Sequence, residues 1–263
     1  MLPDGVRLHL HHGPIDLIVW ADDAARRVAF DRAIKRFRTI LEELVAELPL
    51  LRSPAPVAPL GPVARRMARA VNPFAPVFIT PMAAVAGAVA DEVLAAMAAV
   101  SGLSKAWINN GGDVAFHLTR SQTFTAAMPG GSLTIRHSDP SRGLATSGWR
   151  GRSQSLGIAD AVTVLASTGA EADAAATLIA NAVDLPGHPA ISRRTATDIK
   201  ADSDLGQRPV TTAVGPLAGR DTARALDAGL AVADDFVRRG LIHAAHLTLN
   251  GATRATLPET ADA

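Results

Sequence analysis

The spacing of apolar positions changes several times along the chain, and each change predicts an element. RLHLHH and IDLIVWA alternate over residues 6 to 21, with Gly13 and Pro14 between them, which predicts a strand, a turn and a second strand. From Asp23 to Leu51, Val28, Ile34, Phe37, Leu41, Leu44, Val45 and Leu48 recur at three and four while charges fill the other side. This predicts an amphipathic helix that stops before Pro54. Pro54, Pro56, Pro59 and Pro62 crowd the next segment, so residues 53 to 63 read as a connector or hinge, and Asn72 and Pro73 mark another turn. Val85, Val89, Val93, Met97 and Val100 form a stripe at helical spacing, a core helix with Gly102 after it where a C-cap would sit. Strands are expected at about 106–109, 113–118, 123–127, 132–136 and 159–166, a helix over 221–239 and a last strand over 243–249.

Between the strand at 159–166 and the next apolar run lies Thr168-Gly-Ala-Glu171, a T-x-x-E capping box that opens a helix at Gly169. Asp173 and Thr177 are then i, i+4 neighbours, with Cβ atoms roughly 5–6 Å apart, so a carboxylate and a hydroxyl oxygen could ligate one small cation. Both are hard donors of the kind Mg²⁺ takes when a phosphate supplies further ligands. The competing reading is a solvated face, because Asn181 and Asp184 fall in the same sector, opposite Leu178, Ile179 and Val183. Asn110, Gly111, Gly112 and Asp113 present a second candidate: a glycine pair lets backbone N–H groups approach a phosphate, although a two-glycine turn between strands is also ordinary hairpin chemistry. Thr146, Ser147 and Gly148 offer two hydroxyls and a flexible turn for a phosphate or ribityl oxygen, or form a plain turn.

Read together, TSG at 146–148, ADAVTVLA at 159–166 and E-A-D-x-x-x-T at 171–177 resemble the C-terminal signature of the ApbE family, Mg²⁺-dependent flavin transferases that bind FAD and pass FMN to a Ser or Thr of a target protein. AWINNGGD at 106–113 resembles that family's strand ending in N-x-G-G-D, and PMAAVAGAVADEV at 81–93 its A-I-A-K-G-Y-A-V-D element. The resemblance covers about residues 75 to 185. It implies Asp173 and Thr177 as side-chain metal ligands, the backbone near Ala83 and Ala84 as a carbonyl donor to the same ion, and the turn of Asn110, Gly111, Gly112 and Asp113 as part of a flavin-nucleotide cleft. Two departures stand out: the family's Lys falls at Ala86, and its segment S-H-I-x-D-P-x-T-G, with an aspartate and a histidine that serve transfer, is replaced by Trp149 to Gly157. VNPFAPVFITPMAAVAGAVAD, IADAVTV and DSDLG at 202–206 resemble more closely an ApbE-like branch of archaea and proteobacteria. The implied fold is one α+β ApbE-like domain over residues 1–263, with mixed or antiparallel sheets and packed helices around a central cleft.

Composition narrows the partners. At 263 residues with 48% apolar content the chain can fill a core, and a formal charge of +1 gives no field toward nucleic acid or anionic lipid. The basic clusters at Arg26 and Arg27, at Lys35, Arg36 and Arg38, and at Arg65, Arg66 and Arg69 read as solvated helix faces. The absence of cysteine excludes disulfides and thiolate chemistry. No signal peptide is read at the start, and Asp91 and Glu92 break the apolar run from Pro81 to Val100, so a cytoplasmic protein without a membrane span is expected. His9 with His11, and His243 with His246, lack a third ligand at metal spacing, and the aspartates 198, 202 and 204 do not fit a calcium loop. No nucleophile elbow, P-loop or G-x-G-x-x-G occurs. The expected partner is a small-molecule nucleotide, FAD or FMN with Mg²⁺, for a flavin-nucleotide transferase or pyrophosphatase with no catalytic base assigned. The alternatives are a non-catalytic flavin- or nucleotide-binding protein and a structural interaction domain with an empty cleft; a homo-oligomer is left open.

Overall fold

The computed structural model describes residues 1–128 and 131–256. They build an α+β protein of helices and antiparallel sheet, and the chain divides into two compact units: Met1–Ala145 with Ala166–Ala174, and Thr146–Leu165 with Ala175–Ala263. Residues 257–263 lie outside the described part.

The first unit opens on the expected hairpin, β1 (Arg7–His12) paired antiparallel with β2 (Ile15–Ala21). Leu17, Val19 and Ala21 of β2 are fully buried, as the period of two requires when one face meets the core. The long amphipathic pattern becomes α1 (Arg26–Ala46) and a single turn, α2 (Leu48–Leu51). The proline-rich connector lies inside this unit and is tied down at several points. Ala55 N–H donates to Ile79 O at 2.8 Å, Val57 exchanges bonds with the Asn72 side chain, and Glu47 accepts the N–H groups of Leu60 and Gly61. Pro62 then starts α3 (Pro62–Val71), which carries Arg65, Arg66 and Arg69 and begins inside the segment read as connector, since proline in the first turn costs no hydrogen bond.

A 3₁₀ turn over Pro81–Ala84 leads into α4 (Val85–Ala98), where Val89, Val93 and Met97 are fully buried and make the expected core stripe. By length and composition Pro81–Ala98 could cross a bilayer, despite Asp91 and Glu92, but half of it is buried inside the protein. It packs on α1, α3, β3 (Lys105–Asn110) and β4 (Asp113–Leu118). Glu92 joins these helices by bonds from Arg36 at 2.9 Å and Arg66 at 2.7 Å. A separate hairpin, β5 (Thr123–Met128) with β6 (Gly131–Arg136), reaches β4 through Phe124 stacked on Phe116 at 4.7 Å. The sheet order in this unit is β1-β2-β3-β4-β7, where β7 is Gly143–Ser147.

In the second unit β8 (Ala161–Ala166) pairs with a later strand, and α5 (Gly169–Ala182) continues into this unit after Ala174. A two-stranded ribbon, β9 (Ile191–Thr195) and β10 (Pro209–Val214), brackets the short α6 (Ala196–Ile199). α7 (Gly219–Arg238) covers β11 (Ala244–Leu249) and β12 (Ala252–Ala255), and the strand order is β8-β11-β12. β9, β10, α6 and β12 carried no periodic signal: β9 and β12 alternate only between half-buried and exposed positions, β10 buries the adjacent Val210 and Thr211, and α6 is one turn long.

Within the first unit α4 and the start of α5 touch at two glycines. A Cβ added to Gly87 would lie 2.1 Å from Gly169 O and 2.6 Å from Ala170 N, a backbone neighbour that cannot swing aside. Gly87→Ala is therefore expected to cost at least about 2 kcal/mol of stability, read by urea unfolding; a variant as stable as the parent would show that the two helices are free to separate there.

Candidate functional site

The capping box forms as expected at the start of α5. Thr168 Oγ1 accepts the Glu171 N–H at 3.2 Å and the Thr168 carbonyl takes the first helical bond, from Ala172. Two N–H groups of the first turn remain, and Asp91 of α4 accepts both: Gly169 at 2.8 Å on one carboxylate oxygen and Ala170 at 2.9 Å on the other. α4 has no cap of its own, because Ala84 precedes it. Asp173 of α5 supplies one across the gap, accepting the Gly87 N–H at 3.0 Å and that of Ala86. Each helix thus begins on a carboxylate carried by the other. The positive ends of the two helix dipoles converge on these acids.

Asn110 and Asp113 face each other across the β3–β4 turn, and Asn110, buried, donates from Nδ2 to the Ala86 carbonyl at 3.1 Å. The turn between them is Gly111 (φ 67°) and Gly112 (φ 116°), conformations in which a side chain is strained. The Gly112 N–H is already used by Asn109 Oδ1 at 2.9 Å, while the place a Gly112 Cβ would occupy is open. Asn110, the glycine turn, Asp113, Asp173, Asp91 and the Ala83–Ala84 backbone at the entry of α4 therefore belong to one unit.

Burial pushes the Asp173 carboxyl well above the ordinary carboxylate range, and the neighbouring charges of Asp113 and, less strongly, Asp91 push the same way; the Gly87 and Ala86 N–H groups oppose them. Burial also raises Asp91, to about 6, against the two N–H groups it accepts. A desolvated carboxylate repelled by two others is a place where a hard cation gains what the proton otherwise supplies. Among the described residues no three His, Cys, Asp or Glu side chains cluster as metal ligands, so an ion here would draw on hydroxyl, carbonyl and ligand oxygens besides Asp173. That donor set fits Mg²⁺, which usually rests on one or two carboxylates and a substrate phosphate.

The solvated-face reading of α5 is not what the structure shows. Asp173 and Thr177, one turn apart, are half-buried; Asn181 Oδ1 accepts the Leu156 N–H at 2.9 Å, and Asp184 pairs with Arg193. Thr146, Ser147 and Gly148 lie in the second unit. Thr146 and Ser147 end a strand rather than forming a turn, Thr146 Oγ1 shares a hydrogen with Thr163 Oγ1 at 2.9 Å, and Gly148 is forced by Asp160 O, which a Cβ would meet at 2.5 Å. In the replacement segment Arg150 lies over the Trp149 ring at 4.6 Å and bonds Asp160 at 2.9 Å. His9 pairs with Asp16 at 3.0 Å, a surface contact. An open depression of about 500 Å³ beside Leu8, Phe30 and Ile34 shares no residue with the carboxylate group.

Asp91 is the residue that sequence reasoning left without a role, although it stands in the ApbE-like element at 81–93 and breaks an apolar run. Its signal was there: an acid one turn after Gly87 and flanked by Val89 and Val93, both fully buried.

An acid whose folded pKa lies above its unfolded value binds its proton more tightly when folded. Its contribution to stability is complete below the unfolded pKa and is lost as pH rises through the folded one. For Asp91 the window runs from 3.8 to about 6, and Asp173 acts in the same direction. Urea unfolding in chelator should show the parent losing roughly 3 kcal/mol more than Asp91→Asn across this window; parallel pH curves would remove Asp91 as the cause.

Comparison with known proteins agrees with the motifs. A UPF0280 protein of Methanothrix thermoacetophila is 36% identical over 164 residues, 57% of this chain and 67% of the relative. Another, of Methanosphaerula palustris, is 34% identical over 210 residues, 76% and 84% of the two chains. Among solved structures, Pseudomonas stutzeri flavinyl transferase ApbE in its apo form aligns over 95% of this chain and 94% of its own at 15% identity and TM-score 0.49. The apbe protein of Thermotoga maritima aligns over 97% of both chains at 12% identity and TM-score 0.49. A family model described as AbpE bacteria matches residues 1–255. The chain belongs to that family, and its ApbE-like motifs are the marks of that membership.

Proposed function

We propose that the protein binds a flavin nucleotide, FAD or FMN, together with Mg²⁺, and acts on its phosphoryl groups. The observation that carries this reading is Asp173: a carboxylate desolvated beside Asp113 and Asp91, at the start of two helices, in the residue that the ApbE-like motif makes an ion ligand. Asp173 would hold the ion, with the Thr177 hydroxyl one turn on and backbone carbonyls near Ala83 and Ala84 as further oxygen donors. Bound there, Mg²⁺ would neutralise charge developing on a pyrophosphate. Asn110 fixes the Ala86 carbonyl and so the entry of α4, the open side of Gly112 admits the nucleotide, and Asp113 orients a hydroxyl.

A second reading has a specific observation behind it. Where transfer chemistry would place an acid and a histidine, Trp149 to Gly157 offers two arginines and no general base, which favours a protein that binds the nucleotide without transferring it. Calorimetric titration of FAD and FMN into metal-stripped protein, with and without Mg²⁺, tests the binding claim. Binding is expected only with Mg²⁺, weakened at least about 100-fold in Asp173→Ala; no binding under any condition overturns it. FMN transfer or pyrophosphate cleavage by the Mg²⁺-loaded protein separates the first reading from the second.

A further inference from the structure

We infer that Asp91 is a positioning residue for Asp173, holding the first turn of α5 so that the Asp173 carboxylate stays aimed at the start of α4. Both Asp91 oxygens are engaged by backbone N–H groups of α5, at 2.8 and 2.9 Å, and Asp91 is buried on a helix whose neighbours α1, α3, β3 and β4 fix it. Asp173 lies one turn beyond those N–H groups and returns the contact through Gly87. Between the two bonds the backbones meet at Gly87 and Gly169, leaving no slack for the helix start to slide. The two caps therefore close a ring: Asp91 to the start of α5, along α5 to Asp173, across to Gly87, and along α4 back to Asp91. Opening either cap frees the other. With respect to the cation this inference rests on the proposed function; the ring itself does not.

The test reads amide hydrogen exchange in the metal-free chain, residue by residue. Asp91→Asn keeps the shape but turns an NH₂ group toward one of the two N–H groups it faces. The ring requires that this variant speed exchange not only at Gly169 and Ala170 but also, about tenfold or more, at Gly87, whose partner is on the other helix. Exchange confined to Gly169 and Ala170 would reduce Asp91 to a local cap and overturn the proposal. The reverse variant, Asp173→Ala, should speed exchange at Gly169 and Ala170, and it carries the same test if Asp91→Asn does not fold. Titration with Mg²⁺ alone then adds the ion: where the parent binds, Asp91→Asn should bind roughly 10- to 100-fold more weakly, and equal affinity in a variant with exposed Gly87 would contradict positioning. A parent that binds no Mg²⁺ while Gly87 responds to Asp91 would sink the ion reading and leave the ring intact.

Discussion

The first unit depends on two helices that cannot begin without each other. A helix start leaves N–H groups unsatisfied, and burying them unpaired costs roughly 1–3 kcal/mol each. α5 meets part of that need from its own Thr168, and α4 meets none from the residue before it. Asp91 and Asp173 supply the rest across a contact so close that glycine is required on the facing side. Sheet and helix packing bring the two starts together: β3 and β4 seat α4, and Asn110 at the end of β3 binds the Ala86 carbonyl.

The same arrangement that stabilises the backbone destabilises the carboxylates. Backbone N–H groups favour their charged forms, while burial favours neutral ones, joined at Asp173 by repulsion from Asp113, and for Asp173 and Asp91 alike the second effect wins. Side chains kept for packing alone would not need three acids here; an apolar pair with local caps would cost less. A hard cation would relieve the conflict, since it favours the charged forms without breaking the N–H bonds. This is the physical content of the proposed ion site.

Much of the fold was legible because it is periodic. The opening hairpin, the long first helix, the valine stripe of α4, the hairpins through β6 and the capped α5 all follow from spacing and caps. Elements whose signals are short or polar, β9, β10 and β12, were not, and of α3 only the helix face of Arg65, Arg66 and Arg69 was legible and not its start at Pro62. For the site, spacing placed Asp173 beside Thr177 but left a solvated face open, because a helical wheel shows which side is polar and not what covers it. The groups that meet it, Gly87 at Asp173 and Leu156 at Asn181, are 86 and 25 residues from their partners in sequence. Asp91 was missed for the same reason: its two partners lie 78 and 79 residues away.

Whether the half-buried Asp173 carboxylate is a cation site is tested most directly by an anomalous difference map from a crystal grown with Mn²⁺ in place of Mg²⁺. A peak is expected at roughly 2.1 Å from an Asp173 oxygen, with the Gly87 N–H still bonded to the carboxylate. A map with no peak there, or with Mn²⁺ held only by surface acids, would contradict it.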